Sequence, residues 1–344
     1  MLVKSTPKAH AGANSAKIFL ATFVAVYCVV LGFGWLSQTP SQEELYGGGG
    51  RFLNEVVHNF RTTDGIPWWS ANFMQGHSMA NFALCAVPLI CGILSSAVFG
   101  DPAGIKIAAL LIIPLAALTM FLFARRLTSN EWTGAIAAVL YVLSGQMLVR
   151  IGNFEHWMGS YSYIFPPLIL WAFLKVAGEG SLRASAWLAF GWSAMMLSYA
   201  KLTFMFAPMA AVFFVWLLVD QPERRVALVR GTLVSLVLVC LMAVILLLPL
   251  TREYQWVSAF SFDNFAGWQQ AFSLKNFTSV LDRANGLFAN MRPDFVADRG
   301  QFYLGLVTLF AVGAVFWWSR RHSEWLATRN GVLLRLFVGM TLLA

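Results

Sequence analysis

The chain has 344 residues, of which 58% are hydrophobic and 12% are charged, and its net charge is +8. Soluble domains carry about 25% charged residues, so this composition predicts an integral membrane protein. The Lys and Arg residues stand in short clusters between apolar runs, which is typical of orientation signals, so we expect no nucleic-acid partner. The four Cys lie within apolar stretches and have no metal-type spacing with His, which indicates packing residues.

Apolar runs in chain order predict an all-α, polytopic transmembrane helical bundle of about nine spans plus interfacial helices. The first run, 18–36, follows Lys4, Lys8 and Lys17 and is too long for a signal-peptide core, so we expect a retained helix. The last run breaks off at Ala344, short of the ~20 residues of a span, so we expect residues 1–344 to be a single transmembrane domain at the front of a longer chain. The intervening runs cover about 80–99, 103–124, 132–150, 162–177, 184–200, 202–219, 231–250 and 301–319.

Three arginine doublets between these runs predict the orientation: Arg125-Arg126, Arg224-Arg225 and Arg320-Arg321. With a cytoplasmic N-terminus, all three fall on the cytoplasmic side only if the run 80–99 does not cross the bilayer. Such a run suits an interfacial or re-entrant helix, and an ordinary span stays the alternative. We predict a multi-pass protein of the cytoplasmic (inner) membrane, with large outer loops at 38–102, which includes interfacial helices, and at 251–300.

The first outer loop contains acids beside a glycine run. Glu44 precedes four glycines at 47–50, and the apolar spacing across 51–60 predicts a helix lying in the interface. Trp68 and Trp69 follow as interfacial anchors. The glycines either let the backbone approach a ligand or form a flexible linker.

Several short motifs, in order through about residues 20–320, carry a resemblance to a known family. They are Asp64-Gly65-Ile66-Pro67-Trp68-Trp69 with Gly76-His77-Ser78, Leu122-Phe123-Ala124-Arg125-Arg126-Leu127, Leu143-Ser144-Gly145, Glu155-His156 before Phe165-Pro166-Pro167-Leu168, and Phe302-Tyr303-Leu304-Gly305-Leu306. Together they resemble the pattern of YfhO-type bacterial membrane proteins. Those proteins belong to, or lie beside, the GT-C superfamily of polyprenyl-phosphate-sugar glycosyltransferases.

The resemblance implies a GT-C-like scaffold whose first outer loop carries a catalytic carboxylate. In such enzymes the acid is the general base for an acceptor hydroxyl, which attacks the anomeric carbon of a lipid-linked sugar with inversion. The lipid phosphate then leaves, helped by basic side chains or a metal. The implied partners are a polyprenyl-phosphate-linked sugar, membrane lipid and an extracytoplasmic glycan or lipid acceptor. No cofactor is certain, and a divalent metal stays open.

The candidate general bases are Glu44, Glu55 and Glu155. Family members place an Asp or Glu near a Gly-Gly or Gly-His pair after the first helix, whereas the stretch 47–50 here contains no acid. Either a neighbouring acid substitutes, or the site is inactive.

Basic groups at predicted outer helix ends are the candidates for binding the lipid phosphate and the substrate. Lys201 stands between two apolar runs, where an ionisable group either binds a lipid phosphate or snorkels to the headgroups. No spacing among these residues supports a metal site. The full set is Arg150, His156, Lys201, Arg252, Arg299 and His77.

The favoured function is therefore a membrane glycosyltransferase that moves a sugar from a polyprenyl-phosphate donor to an extracytoplasmic acceptor. A transporter or flippase of a lipid-linked glycan is the alternative from another class, and it predicts inverted repeats and ionisable groups near mid-membrane. The sequence has no clear repeat, and the centres of its spans are nearly free of charge. A non-catalytic scaffold with the same architecture is the third interpretation.

Overall fold

The computed structural model describes residues 8–37, 69–70, 77–78, 86–100, 103–144, 147, 157–198 and 200–253. These residues form a helical bundle and one antiparallel pair of two-residue strands, β1 (Trp69–Ser70) and β2 (His77–Ser78). Short 3₁₀ turns at Tyr161–Ile164 and Pro222–Arg224 lead into two of the helices. The α-helices are α1 (Lys8–Ser37), α2 (Ala86–Phe99), α3 (Ala103–Leu110), α4 (Ile112–Thr128), α5 (Glu131–Val142), α6 (Trp157–Ser160), α7 (Phe165–Glu179), α8 (Leu182–Met196), α9 (Ala200–Asp220) and α10 (Arg225–Glu253).

Four segments of the described chain are long and apolar enough to cross a membrane: Asn14–Phe33, Ala103–Thr128, Tyr161–Glu179 and Pro222–Met242. This confirms the coarser prediction of a helical membrane protein. The total of about nine spans and the GT-C-like architecture concern the whole chain and stay predictions. Helix α2 has 14 residues. It is therefore about 21 Å long, which is shorter than the hydrocarbon core of a bilayer, about 30 Å thick.

Two short turns join antiparallel helix pairs. Between α4 and α5, Ser129 adopts a left-handed conformation with φ of 56°, and the Asn130 side chain accepts hydrogen bonds from the first N–H groups of α5. Between α7 and α8, Gly180 has φ of 60° and Ser181 caps α8 by accepting from the Ala184 N–H. Left-handed C-caps followed by polar N-caps end one helix and begin the next within a few residues.

Helix α10 packs against the pair α7 and α8 through small residues. A side chain on Gly231 would overlap Val176 of α7, so the two backbones lie close together. The Ser235 hydroxyl donates to the Ser185 carbonyl of α8 at 2.8 Å. Small residues permit this close approach in membranes, where apolar burial alone does not drive helices together.

The centre of the bundle is α4. Its Ile112, Ile113 and Ala116 are fully buried, and α1, α3, α5 and α7 all pack around it. Phe123 of α4 meets Phe213 of α9 edge to face, with ring centroids 5.9 Å apart. Large apolar side chains are instead exposed on the outer faces of α1 and α10, as is expected of helices that face lipid.

The described residues between 8 and 142 and between 157 and 250 belong to one compact unit. The doublet Arg320-Arg321, the predicted spans beyond residue 300 and most of the two predicted outer loops lie outside the described ranges.

Candidate functional site

Polar side chains are buried where α2, α3 and the 3₁₀ turn before α7 meet. The turn contacts α4, α6, α7 and α8, so it joins several helices at one point. In an apolar bundle, buried polar groups are kept by hydrogen bonding and mark places where polar chemistry is required. We name this cluster the polar junction; it comprises Ser95, Ser96, Lys106, Ser160, Tyr161 and Ser162, each less than 9% exposed.

Tyr161 holds the junction together. Its ring is 1% exposed, and its hydroxyl donates to the Ala108 carbonyl of α3 at 2.6 Å. The Cys91 side chain of α2 interacts with the same hydroxyl. The 3₁₀ turn is followed directly by α7, whose first turn contains Pro166 and Pro167. Proline suits the first turn of a helix, because the backbone N–H groups there have no partner within the helix.

The end of α8 meets the beginning of α2 at this level of the bundle. The Val87 N–H donates to the Leu197 carbonyl at 3.4 Å. Ser198 is fully buried, and its hydroxyl donates to the Ala194 carbonyl at 2.7 Å. Helix α9 begins directly afterwards at Ala200, so the predicted site residue Lys201 lies in its first turn.

Lys106 is the buried cation of the junction. It is 6% exposed and is the fourth residue of the segment Ala103–Thr128, so it lies about 5 Å along the helix from that end. Lys106 makes at least one interaction within the protein. It was not among the predicted site residues, although it is the one charged residue in the apolar run 103–124.

At the other end of the bundle, two acids each hold two cations. Glu131 begins α5 and lies 3.4 Å from Arg125 and 3.9 Å from Lys17. These pairs connect Lys17 of α1 with the end of α4 and the beginning of α5.

The second acid is Glu179, at the end of α7. It lies 3.2 Å from Arg126 and 3.6 Å from Lys175. The Lys175 ammonium also lies over the Trp171 ring, 5.1 Å from its centroid. These contacts bind the ends of α4 and α7 together.

Two of the three arginine doublets share this charged end. A Cβ atom built on Gly178 would lie 3.1 Å from Arg126 Nη2 and 3.6 Å from Arg224 Nη1, so the two guanidinium groups approach the same point of α7. The sequence pattern predicted that the doublets lie on one side. Which side of the membrane that is stays a prediction.

Three of the predicted site residues belong to described elements. Lys201 is in α9, Arg252 is in the last turn of α10, and His77 is paired with Ser70 in the strand pair. Within the described ranges, no group of three or more His, Cys, Asp or Glu could hold a metal ion. The remaining predicted residues lie outside those ranges: Glu44, Glu55, Arg150, Glu155, His156 and Arg299.

Comparison of the chain with protein-family models, with curated proteins and with solved structures finds no match.

Proposed function

We propose that this chain is a membrane glycosyltransferase of YfhO-type, GT-C-like architecture, which moves a sugar from a polyprenyl-phosphate donor to an extracytoplasmic acceptor. The observation that carries the proposal is Lys106, a cation buried near one end of a membrane-length segment. A polyprenyl phosphate keeps its tail in hydrocarbon and its charged head at the interface. A cation at that depth suits the head, because an ionisable group inside a membrane-length segment marks a place where charge chemistry is required.

The polar junction around Lys106 supports the same chemistry. The hydroxyl groups of Ser95 and Ser96 are buried there among apolar helices. Serine hydroxyls can donate to phosphate oxygens, and the low dielectric of such a site strengthens each interaction. Lys201 is the second residue of α9, which follows the end of α8 closely, so its backbone belongs to the same region of the bundle.

The proposed reaction needs one base and one stabilised leaving group. A carboxylate, from Glu44, Glu55 or Glu155, takes the proton of the acceptor hydroxyl. The acceptor oxygen then forms a bond to the anomeric carbon, while the bond between that carbon and the phosphate oxygen breaks with its electron pair. Negative charge develops on the departing polyprenyl phosphate. A positioned cation there lowers the energy of the transition state more than that of the bound donor.

Replacing Lys106 tests the leaving-group part of the proposal. Membrane vesicles that contain the full chain are supplied with a panel of radiolabelled polyprenyl-phosphate sugars, and transfer to endogenous acceptors is measured. Lys106→Met should lower the transfer rate about 100-fold, the usual effect of removing one stabilising group. The matched control is Lys175→Met, which removes a lysine at the other end of the bundle and should leave transfer within about twofold, as expected of a group remote from the reacting atoms.

Alanine variants of Glu44, Glu55 and Glu155 test the base. One of the three should abolish transfer while membrane insertion and protein level stay normal. If all three retain full activity, the proposed base is wrong. Movement of the labelled lipid across the vesicle membrane without any transfer to an acceptor would support the flippase interpretation instead.

A further inference from the structure

One face of α10 exposes an apolar stripe that contains an arginine. Val226, Val229, Arg230 and Leu233 follow one another at helical spacing along this face. Val226 is 81% exposed and Leu233 is 57% exposed. A stripe of this kind, on a segment long enough to cross a membrane, is a surface for acyl chains.

A shallow groove of about 460 Å³ runs along the stripe at the beginning of α10. It is lined by Arg225, Val226, Val229, Arg230, Leu233 and Val234. The exposed lining of the groove is almost wholly apolar, and among the described residues that line it there are two arginines and no acid. The apolar lining suits a hydrocarbon chain, and the two arginines suit an anionic head group.

Arg225 begins α10, and Arg230 lies within the apolar stripe. Arg230 is five residues after Arg225, about 8 Å further along the helix axis. Both residues line the same groove, so an anionic head bound there would meet two positive charges.

The charge of this end favours an anion. Glu131 and Glu179 are each paired with two cations, and Arg230 forms no ion pair with any other residue that the structure describes. Arg225 uses its Nε to donate to the Leu218 carbonyl at 2.6 Å, which leaves its terminal N–H groups for another acceptor. The basic residues here are Lys17, Arg125, Arg126, Lys175, Arg183, Arg224, Arg225 and Arg230, against Glu131, Glu179, Asp220 and Glu223.

We infer that this groove binds one anionic phospholipid, with its phosphate between Arg225 and Arg230 and an acyl chain along Val226, Val229 and Leu233. A phospholipid satisfies both parts of the groove, whereas a free phosphate would leave the apolar part unused. A second copy of the chain would bring the same arginines together and repel. Basic pockets beside transmembrane helices are known to suit anionic headgroups. The inference concerns the charged end of the bundle and does not depend on the proposed transferase activity.

Native mass spectrometry of the full chain, released from nanodiscs of equal phosphatidylglycerol and phosphatidylcholine content, tests the inference. The unchanged protein should retain phosphatidylglycerol in preference to phosphatidylcholine. The double variant R225Q/R230Q should reduce that preference about tenfold, because each arginine near a membrane surface contributes appreciably to anionic-lipid binding. The double variant R225K/R230K should keep most of the preference, since it retains both charges.

The matched control is K17Q/R183Q, which removes the same number of charges from the same end but leaves the groove intact. It should retain the lipid as the unchanged protein does. The inference is overturned if the control loses as much lipid as R225Q/R230Q, or if the glutamine variant keeps its preference. The inference is also overturned if the unchanged protein retains phosphatidylcholine as well as phosphatidylglycerol, or if millimolar glycerol phosphate displaces the bound lipid. A dimer that contains no bound lipid would overturn it too. Size-exclusion profiles identical to that of the unchanged protein establish that each variant is folded.

Discussion

Gly104 of α3 lies directly against the backbone of Ser96 in α2. A Cβ atom at position 104 would overlap the Ser96 main chain, so no side-chain movement could relieve the clash. The hairpin of α2 and α3, which carries Lys106, therefore depends on glycine at this contact.

Gly104→Ala should destabilise the protein by about 1–3 kcal/mol, because overpacking against a backbone forces the helices apart. The measurement is thermal unfolding of the purified chain in detergent, followed by circular dichroism. Gly178→Ala is the control. Its Cβ would meet the end of the flexible Arg126 side chain at 3.1 Å, which can move away. Equal losses in the two variants would contradict the proposed role of the α2–α3 contact.

Tyr161→Phe should cost about 1 kcal/mol, because it removes a buried hydrogen-bond donor from the Ala108 carbonyl. Chemical denaturation in mixed micelles measures the loss. Tyr27→Phe serves as the comparison, since the Tyr27 hydroxyl on α1 makes no hydrogen bond with another described residue. That variant should change stability by less than about 0.5 kcal/mol. A Tyr161 variant as stable as the Tyr27 variant would show that the bond contributes nothing.

Glu179→Gln should lower stability by about 0.5–1 kcal/mol at low salt and by much less at 1 M NaCl, because exposed ion pairs are weak and screened. The change breaks the pairs with Arg126 and Lys175. Unfolding midpoints at the two salt concentrations provide the measurement. Glu223→Gln, an exposed acid with no ion pair to any described residue, should show neither the loss nor the salt dependence. A salt-independent loss at Glu179 would point to packing instead.

Ser129→Gly should stabilise the turn between α4 and α5 by about 0.5–1 kcal/mol, because the left-handed conformation strains residues that have a Cβ. Gly180→Ala, at the corresponding turn with φ of 60°, should destabilise by a similar amount. The two unfolding midpoints should therefore shift in opposite directions. Shifts of the same sign would rule out backbone conformation as the cause.

The sequence alone predicted the class of the protein and the approximate positions of most of the helices that the structure describes. Long apolar runs predict membrane helices whatever their neighbours are, because every segment must meet the same hydrocarbon thickness. Asn130 and Ser181, which cap α5 and α8 in the structure, lie in the gaps between the predicted apolar runs. The arginine doublets predicted a shared end, and Arg126 and Arg224 do approach the same point beside Gly178.

The candidate site was predicted less well, because its chemistry depends on contacts between distant parts of the chain. The burial of Lys106 was not predicted, because a lysine near the start of an apolar run is usually an interfacial residue. Tyr161 and Ser162 carry no sequence pattern that would indicate burial. The proposed bases Glu44, Glu55 and Glu155 lie outside the described ranges and stay predictions.

Composition and periodicity determined that this chain enters a membrane as helices, because the transfer of apolar residues from water depends on each segment by itself. Tertiary structure decided which polar groups are buried together. Burial of Lys106 and the bond from Tyr161 to Ala108 arise only when α2, α3 and the turn before α7 pack against one another. A hydrogen bond between residues 53 positions apart is a property of that packing and of no local segment.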